Sequence, residues 1–402
     1  MRLRLRPSFA VVDDGRPNCG RLLPGMSTSS SSSLSVLVSG GGIAGATLAF
    51  WLGRYGFDVT VVERASDLRS SGNPVDVRDE AVAVTREMGV LPRLQELSTG
   101  VTRMCYIDGR GRRIGAVGMG GSGVEISRRH LASTLAEAAA ERAEFVQGDM
   151  IETMEQHADG VEVALAGGRH GRFDLVVGAD GTHSGVRRMA FGPESALVSH
   201  LGMFVGTVPL SDTVADTSSG LLPDRREIVL FNAAGRAVSL HPAGGEPVAA
   251  FIFRGGLPAD FDHRDTDQHK RMLDGAYQGV GWRVPELLDI VKDSDALYFD
   301  AVSRVTLPAW SSGRVAVVGD AASSVSLFGD GSTLAVMGAK ALADALAEHR
   351  GDHERAFRVY EAAHRPVVTA RHRNVTRGAR WLIPDSRAGL AARNLALRAL
   401  NR

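Results

Sequence analysis

The stretch Ser35-Val36-Leu37-Val38-Ser39-Gly40-Gly41-Gly42-Ile43-Ala44-Gly45 decides the fold of this chain: an apolar run with the pattern of a buried strand passes directly into Gly-x-Gly-x-x-Gly and then a helix. In such a unit Gly40 permits the tight turn, Gly42 lets backbone approach phosphate oxygens, and Gly45 allows close helix-to-strand packing. Backbone N–H groups at the start of the helix, around Ile43 and Ala44, attract the anion. Alone, a glycine signature is weak. Here Asp58-Val59-Thr60-Val61-Val62-Glu63 follows as a second strand ending in an acid, 18 residues past Gly45, where a carboxylate can accept a ribose hydroxyl; Arg64 stands next to it. Strand, glycines, helix, strand and acid in that order place a nucleotide pyrophosphate near residue 40. A glycine turn that merely packs two elements does not account for the series.

At 402 residues the chain has room for two domains or one large one. With 46 basic and 46 acidic residues the formal charge is zero, so nothing in the overall balance points to a nucleic-acid partner. The distribution is uneven: from Arg365 onward the chain is arginine-rich, which reads as a solvated helix face. Only Cys19 and Cys105 occur, which argues against a disulfide framework or a cysteine metal cluster and for a reducing cytoplasm. No metal site is expected, and no apolar run approaches membrane-spanning length. The first 33 residues, basic at the start and almost all serine from Ser27 to Ser33, are expected to be a disordered tail, or translation begins at Met26.

Beyond the first unit, Val77 to Met88 reads as a helix, Arg103 to Ile107 and Arg112 to Val117 as short strands, and Arg128 to Arg142 as a helix. Phe173 to Ala179 is an apolar strand run ending in Gly178-Ala179-Asp180-Gly181-Thr182-His183-Ser184, a polar glycine turn at the carboxyl end of a strand. From about Phe191 to Asp295 the texture changes. Met203 to Leu210, Glu227 to Asn232, Ala237 to His241 and Val248 to Phe253 look like successive strands of an antiparallel sheet. Nucleotide-domain texture returns at Arg314-Val315-Ala316-Val317-Val318-Gly319-Asp320, followed by a helix from Ser332 to Glu348. The division this implies is a discontinuous nucleotide domain over 34–190 and 296–350, with part of the substrate face near 100–125, a β-sheet substrate domain over 191–295, and C-terminal helices over 351–402.

Gly40 to Gly45, Asp180-Gly181 and Gly319-Asp320, in these strand contexts and in this order, resemble the fingerprints of the class A flavoprotein monooxygenases, which share the p-hydroxybenzoate hydroxylase fold. The resemblance runs from about Leu34 to the C-terminus. Within the family the chain is similar to tetracycline-inactivating monooxygenases and to hydroxylases that tailor bacterial polyketides. It implies an α/β fold: a Rossmann-like FAD/NAD(P)-binding domain with an inserted antiparallel β-sheet substrate domain and C-terminal helices. FAD is the implied cofactor, with Gly40, Gly42 and Gly45 under the pyrophosphate and Glu63 on the adenosine ribose; the residues alone did not separate FAD from NAD. Arg78, and Arg128 in Arg-x-x-Leu, match arginines near the cofactor in relatives, with Arg129 the neighbouring competitor. Asp180, Gly181 and Arg187 match a motif associated with FAD and NAD(P)H, although a carboxylate in this turn can equally cap the helix from Ser184 to Ala190. Gly319 leads into Asp320, which matches the acid on the flavin ribityl chain, and backbone at Gly331, Ser332 and Thr333 is placed to face the flavin pyrimidine edge.

The family pattern implies an NAD(P)H-dependent monooxygenase that adds O2 at the flavin C4a position and transfers one oxygen atom from the hydroperoxide to an apolar, aromatic or polyketide substrate. Epoxidation and Baeyer–Villiger insertion are alternatives on the same fold, as is a non-redox flavoprotein that cyclises or binds its ligand. One departure bears on this: relatives carry a proline between Gly-Asp and the glycine loop, and Ala321 to Gly331 contains none. No catalytic side chain is required, since the cofactor carries the chemistry. His241 is a candidate acid or base toward a phenol, or it completes a strand edge. Met203, Phe204, Phe231, Phe251 and Phe253 form either an aromatic substrate face or the core beneath the sheet. Nothing in the sequence chooses between monomer and homodimer.

Overall fold

The computed structural model describes residues 33–66, 74–119, 123–211, 224–242, 247–324 and 330–400. The expected tail up to Ser32 and the middle of the proline-free stretch, 325–329, lie outside these residues.

A six-stranded sheet is built on β1 (Ser35–Ser39), with β2 (Asp58–Glu63) and β7 (Glu144–Gln147) on one side and β11 (Leu175–Gly178), β18 (Val315–Val317) and β17 (Ser311–Ser312) on the other. All pairings are parallel except the edge pair β17–β18. Parallel strands covered on both faces read as continuous apolar runs, and Val36, Leu37 and Val38 are fully buried. The helix Ile43–Arg54 packs against the helices Asp330–Glu348 and Arg128–Ala140. Its residues Ile43 to Leu52 are all buried, which explains its apolar composition around the whole circumference.

A seven-stranded sheet runs in the order β16 (Tyr298–Val305), β12 (Val198–Pro209), β15 (Val248–Arg254), β14 (Arg236–His241), β13 (Glu227–Ala233), β4 (Arg103–Ile107), β5 (Arg113–Gly118). It draws on three distant stretches of chain. Its pairs are antiparallel but for β13–β4, which is parallel and is reached by a long crossover. A meander of β8 (Ile151–His157), β9 (Gly160–Leu165) and β10 (His170–Phe173) and a ribbon of β3 (Pro74–Val77) and β6 (Val124–Ser127) complete the strands.

Two helices, Thr266–Tyr277 and Val284–Asp293, lie within the span 191–295 that the sequence reading assigned to a β-sheet domain. They cover one face of the seven-stranded sheet. Phe204, Phe231, Phe251 and Phe253, each no more than 5% exposed, pack there with Leu273, Tyr277, Leu287 and Val291. The phenylalanines are therefore core beneath the sheet. Met203 points the other way, into a cluster with Ala379, Ile383 and Leu397 of the C-terminal region. That region holds the long helix His353–Leu382, capped by Asp352, whose side chain accepts a hydrogen bond from the Arg355 N–H, and the helix Arg387–Leu400. Among the described residues no helix is long and apolar enough to cross a membrane.

Candidate active site

Three glycine motifs meet because they leave the carboxyl ends of three adjacent strands. Register aligns Ser39 of β1 with Gly178 of β11, and Gly178 with Val317 of β18. The chain leaves β1 towards β2 on one side and adds β11 later on the other, so the strand order reverses at β1, the place where open α/β sheets bind ligands. The motifs touch one another closely. Gly40 sits at φ +100°, and a Cβ there would lie 2.6 Å from the Ala179 carbonyl oxygen. At Gly45 a Cβ would fall 1.8 Å from the Gly40 oxygen, and at Gly319 2.7 Å from the Ala44 Cβ. Gly42 differs. A Cβ there would meet nothing within 4 Å, so the second glycine borders open space at the mouth of the helix, the shape a pyrophosphate needs.

Glu63 ends β2 beside this turn. Its Oε2 accepts from the Gly41 N–H at 2.7 Å and its Oε1 from the Ala65 N–H at 2.9 Å, which holds the carboxylate at the crevice with lone pairs to spare. Arg64 is exposed next to it. On the far side, Asp320 opens a short helix behind Gly319. Burial raises its pKa, the Arg128 guanidinium opposes that, and Asp300 adds to it; the carboxylate has no hydrogen-bond partner among the described residues. A half-buried acceptor left over in this way fits a ligand hydroxyl. Open space at Gly42 and an unpartnered acid at Asp320 are the features that an extended dinucleotide cofactor requires.

Arg128, at the start of its helix, faces Asp320 and Tyr298, whereas Arg129 lies by His130. Tyr298 and Asp300 belong to β16 of the other sheet. Burial and the charges of Asp300 and Asp320 raise the Tyr298 phenol, partly offset by Arg128, and Tyr298 also hydrogen-bonds Asp300. This is the junction of the two sheets. Arg78 pairs with Asp76 at 2.7 Å, and its N–H donates to Thr333 Oγ1 at 3.1 Å. Ser332 and Thr333 donate their hydroxyls to the Asp76 carbonyl at 2.6 and 3.0 Å, fastening the helix start at Gly331 to β3.

Asp180 does what a capping acid does. It accepts from the Ser184 hydroxyl, from the Gly185 N–H at 2.8 Å and from the Val186 N–H at 3.2 Å, while Gly181 at φ +81° completes the turn. Arg187 is 1% exposed: it donates to the Thr182 carbonyl at 2.5 Å and the Ala321 carbonyl at 3.2 Å, bracing this turn against the Asp320 helix. The matched motif is thus a buried strut between the Asp180 turn and the Asp320 helix. His241 is held by Ser239 Oγ at 2.9 Å from its Nε2; burial lowers its pKa to about 4, so the ring is neutral at physiological pH.

Sequence reading passed over His183. Its Nδ1 lies 2.9 Å from Glu194 Oε1 and its Nε2 3.3 Å from Asp300 Oδ1, with the His263 ring stacked at 4.1 Å. Burial pushes its pKa down, but hydrogen bonds and charge from Asp300 and Glu194 outweigh that and raise it to about 9. An imidazolium thereby ties the Asp180 turn to β16. The only hint in the sequence was a histidine inside the glycine turn, since its partners lie 11 and 117 residues away.

A family profile described as FAD binding domain matches residues 33–375. The chain belongs to this family, the class A flavin-dependent monooxygenases, and is an FAD-dependent oxidoreductase that takes O2 and a small-molecule substrate. A flavin-dependent monooxygenase of Legionella longbeachae is 32% identical over 349 residues, covering 85% of this chain and 87% of its own. The crystal structure of tetracycline destructase Tet(51) superposes with a TM-score of 0.79 at 28% identity, over 92% of this chain and 96% of the other. Klebsiella pneumoniae HpxO, solved with FAD and uric acid, shares the fold with a TM-score of 0.72 at 23% identity, over 91% and 93%.

Proposed function

We propose that this chain is an NADH- or NADPH-using monooxygenase that inserts one oxygen atom into a flat, mostly apolar aromatic or polyketide molecule. The observation that carries the reading is the meeting of Arg128 and Asp320 from the nucleotide side with Tyr298 and Asp300 from the seven-stranded sheet. In register, Tyr298, Thr207, Ala250 and Ser239 form one row across four strands on the face opposite the phenylalanine core. Apart from Tyr298 the side chains on that row are small, which suits a flat ring system, and Tyr298 would offer it a hydroxyl. Likeness to a tetracycline destructase favours the same shape of substrate.

When bound, the flavin supplies electron transfer and oxygen activation. The Gly40–Gly45 loop would hold its pyrophosphate, Glu63 its adenosine ribose and Asp320 its ribityl hydroxyls. Arg128 and the helix start at Gly331 would set positive potential beside the ring. Arg187 and His183 act one step back, keeping the Asp180 turn, the Asp320 helix and β16 in fixed relation. Oxygen uptake and flavin absorbance, followed with NADH and NADPH against a panel of aromatic polyketides that includes a tetracycline, test the reading. It expects uptake stimulated by at least one compound; flavin that stays oxidised with both reductants and every compound would refute it.

A further inference from the structure

The arginine-rich C-terminal stretch has a use that a solvated helix face does not explain. Between β16 and the long helix lies a cavity of about 260 Å³ lined by Arg304, Thr306, Trp310, Ser323, His372 and Arg373. Two of its polar atoms, Arg304 Nε and His372 Nε2, are buried with no hydrogen-bond partner among the described residues. Neither Arg304 nor Arg373 has an ion-pair partner among those residues, whereas neighbouring Arg365 is held by Glu361 at 2.6 Å. Burial and the Arg304 charge keep His372 neutral, with a pKa of about 4, so the imidazole and the Arg304 guanidinium share one environment.

Buried polar groups in folded proteins are almost always satisfied, and a buried guanidinium nitrogen without an acceptor, as at Arg304 Nε, is the exception that invites an anion. We propose that this cavity is a binding site for a phosphate group. Arg304 and Arg373 supply fork-shaped donors that match phosphate oxygens, and the hydroxyls of Ser323 and Thr306 add neutral ones. A volume of about 260 Å³ admits a phosphate or pyrophosphate and not a whole dinucleotide. The rest of a phosphorylated ligand has a path: Arg365, Thr369 and Arg373 also line a second hollow of about 610 Å³ along the outside of the long helix, where Arg358 continues the row. Spacings of seven and eight residues put Arg358, Arg365 and Arg373 on one helix face. Ala322 and Ser323, at the cavity wall, lie just beyond Asp320, so an anion here presses on the segment that leads from the cofactor acid.

Titration calorimetry on the FAD-loaded protein with inorganic phosphate and then pyrophosphate tests the site, alongside Arg373→Gln, an exposed helix position, and Arg304→Gln. Pyrophosphate should bind with an affinity that falls with added NaCl, and each variant should lose at least about tenfold while Arg373→Gln keeps its flavin content and melting temperature. Competition by NADPH would support the site with the reductant's phosphates as its source; arginine-dependent pyrophosphate binding without such competition would support it with free phosphate as the source. Absence of phosphate and pyrophosphate binding in the wild type, or unchanged affinity in Arg373→Gln, would overturn it.

Discussion

Replacing His183 by glutamine should destabilise the protein at pH 6 and leave it nearly unaffected at pH 10. The native ring is held protonated, donating to Glu194 at 2.9 Å and to Asp300 at 3.3 Å. A folded pKa of about 9 against an ordinary value of 6.5 corresponds to ~3 kcal/mol of preferential binding of the charged form. His183 is 29% exposed and Glu194 32%, so solvent screening lowers the expected net value to about 2 kcal/mol. Because the folded pKa is raised, this stabilisation is fully present below the unfolded pKa of about 6.5 and is lost as pH rises through about 9. Glu194 behaves oppositely: its pKa is lowered by the His183 hydrogen bond, so its share is lost as the solution becomes acidic. For a chain of this length, 2 kcal/mol amounts to roughly 2–3 °C in melting temperature. Thermal midpoints of wild type and His183→Gln, measured from pH 6 to 10, should draw together progressively from about pH 6.5 and meet near pH 9. A gap that does not change with pH, or a histidine titration midpoint for His183 near 6.5 by NMR, would refute the reasoning.

The glycine loop yields a paired prediction. Gly42→Ala should leave the apo-protein melting temperature within about 1 °C of wild type and reduce flavin retention, because its Cβ enters open space; Gly45→Ala should lower both, because its Cβ meets backbone at 1.8 Å. Flavin content after gel filtration and apo-protein melting curves separate the two. Asp320→Asn removes a charged acceptor worth roughly 1.5–3 kcal/mol, so the FAD dissociation constant should rise about 10- to 100-fold while the apo protein becomes no less stable; undiminished flavin occupancy would exclude Asp320 from the cofactor site. Phe251→Ala should lose about 3–5 kcal/mol in chemical denaturation, since the ring is fully buried and packs edge-on against Tyr277 at 5.3 Å. A stable Phe251→Ala variant with altered substrate preference would instead put that face of the sheet in contact with ligand.

Much of the nucleotide-binding half could be read in order along the chain because its signals are local. A buried parallel strand is a continuous apolar run, and the turn after it shows its glycines in the sequence, so β1, β2, β11 and β18 and the motifs behind them stand out. Strands β13 to β15 were equally plain from their composition and turns. The helix Val284–Asp293 also carried a local signal, with Val284, Leu287, Leu288 and Val291 at helical spacing, as did Thr266–Tyr277 with its Asp265 cap; both were obscured by reading the whole segment as sheet. Their presence settles which face of the sheet holds the phenylalanines.

Side-chain partnership is a different matter. Asp180 matches a cofactor motif and a helix cap equally well in sequence, and only the folded turn, with three donors converging on its carboxylate, shows the cap being made. Arg187 carries a charge that suggests solvent or ligand, yet it is enclosed between carbonyls from two loops 134 and 5 residues away. His183 between Glu194 and Asp300, and Arg304 beside His372, come together across sheet and helix contacts that no spacing in the chain reports. Strand periodicity, glycine conformations and apolar runs follow from interactions between near neighbours, so the sequence alone determined the nucleotide fold, its loops and the family. Which polar groups satisfy one another, and which are left over for a ligand, depends on desolvation and on contacts between distant segments; those were decided only when the two sheets and the long helix closed around them.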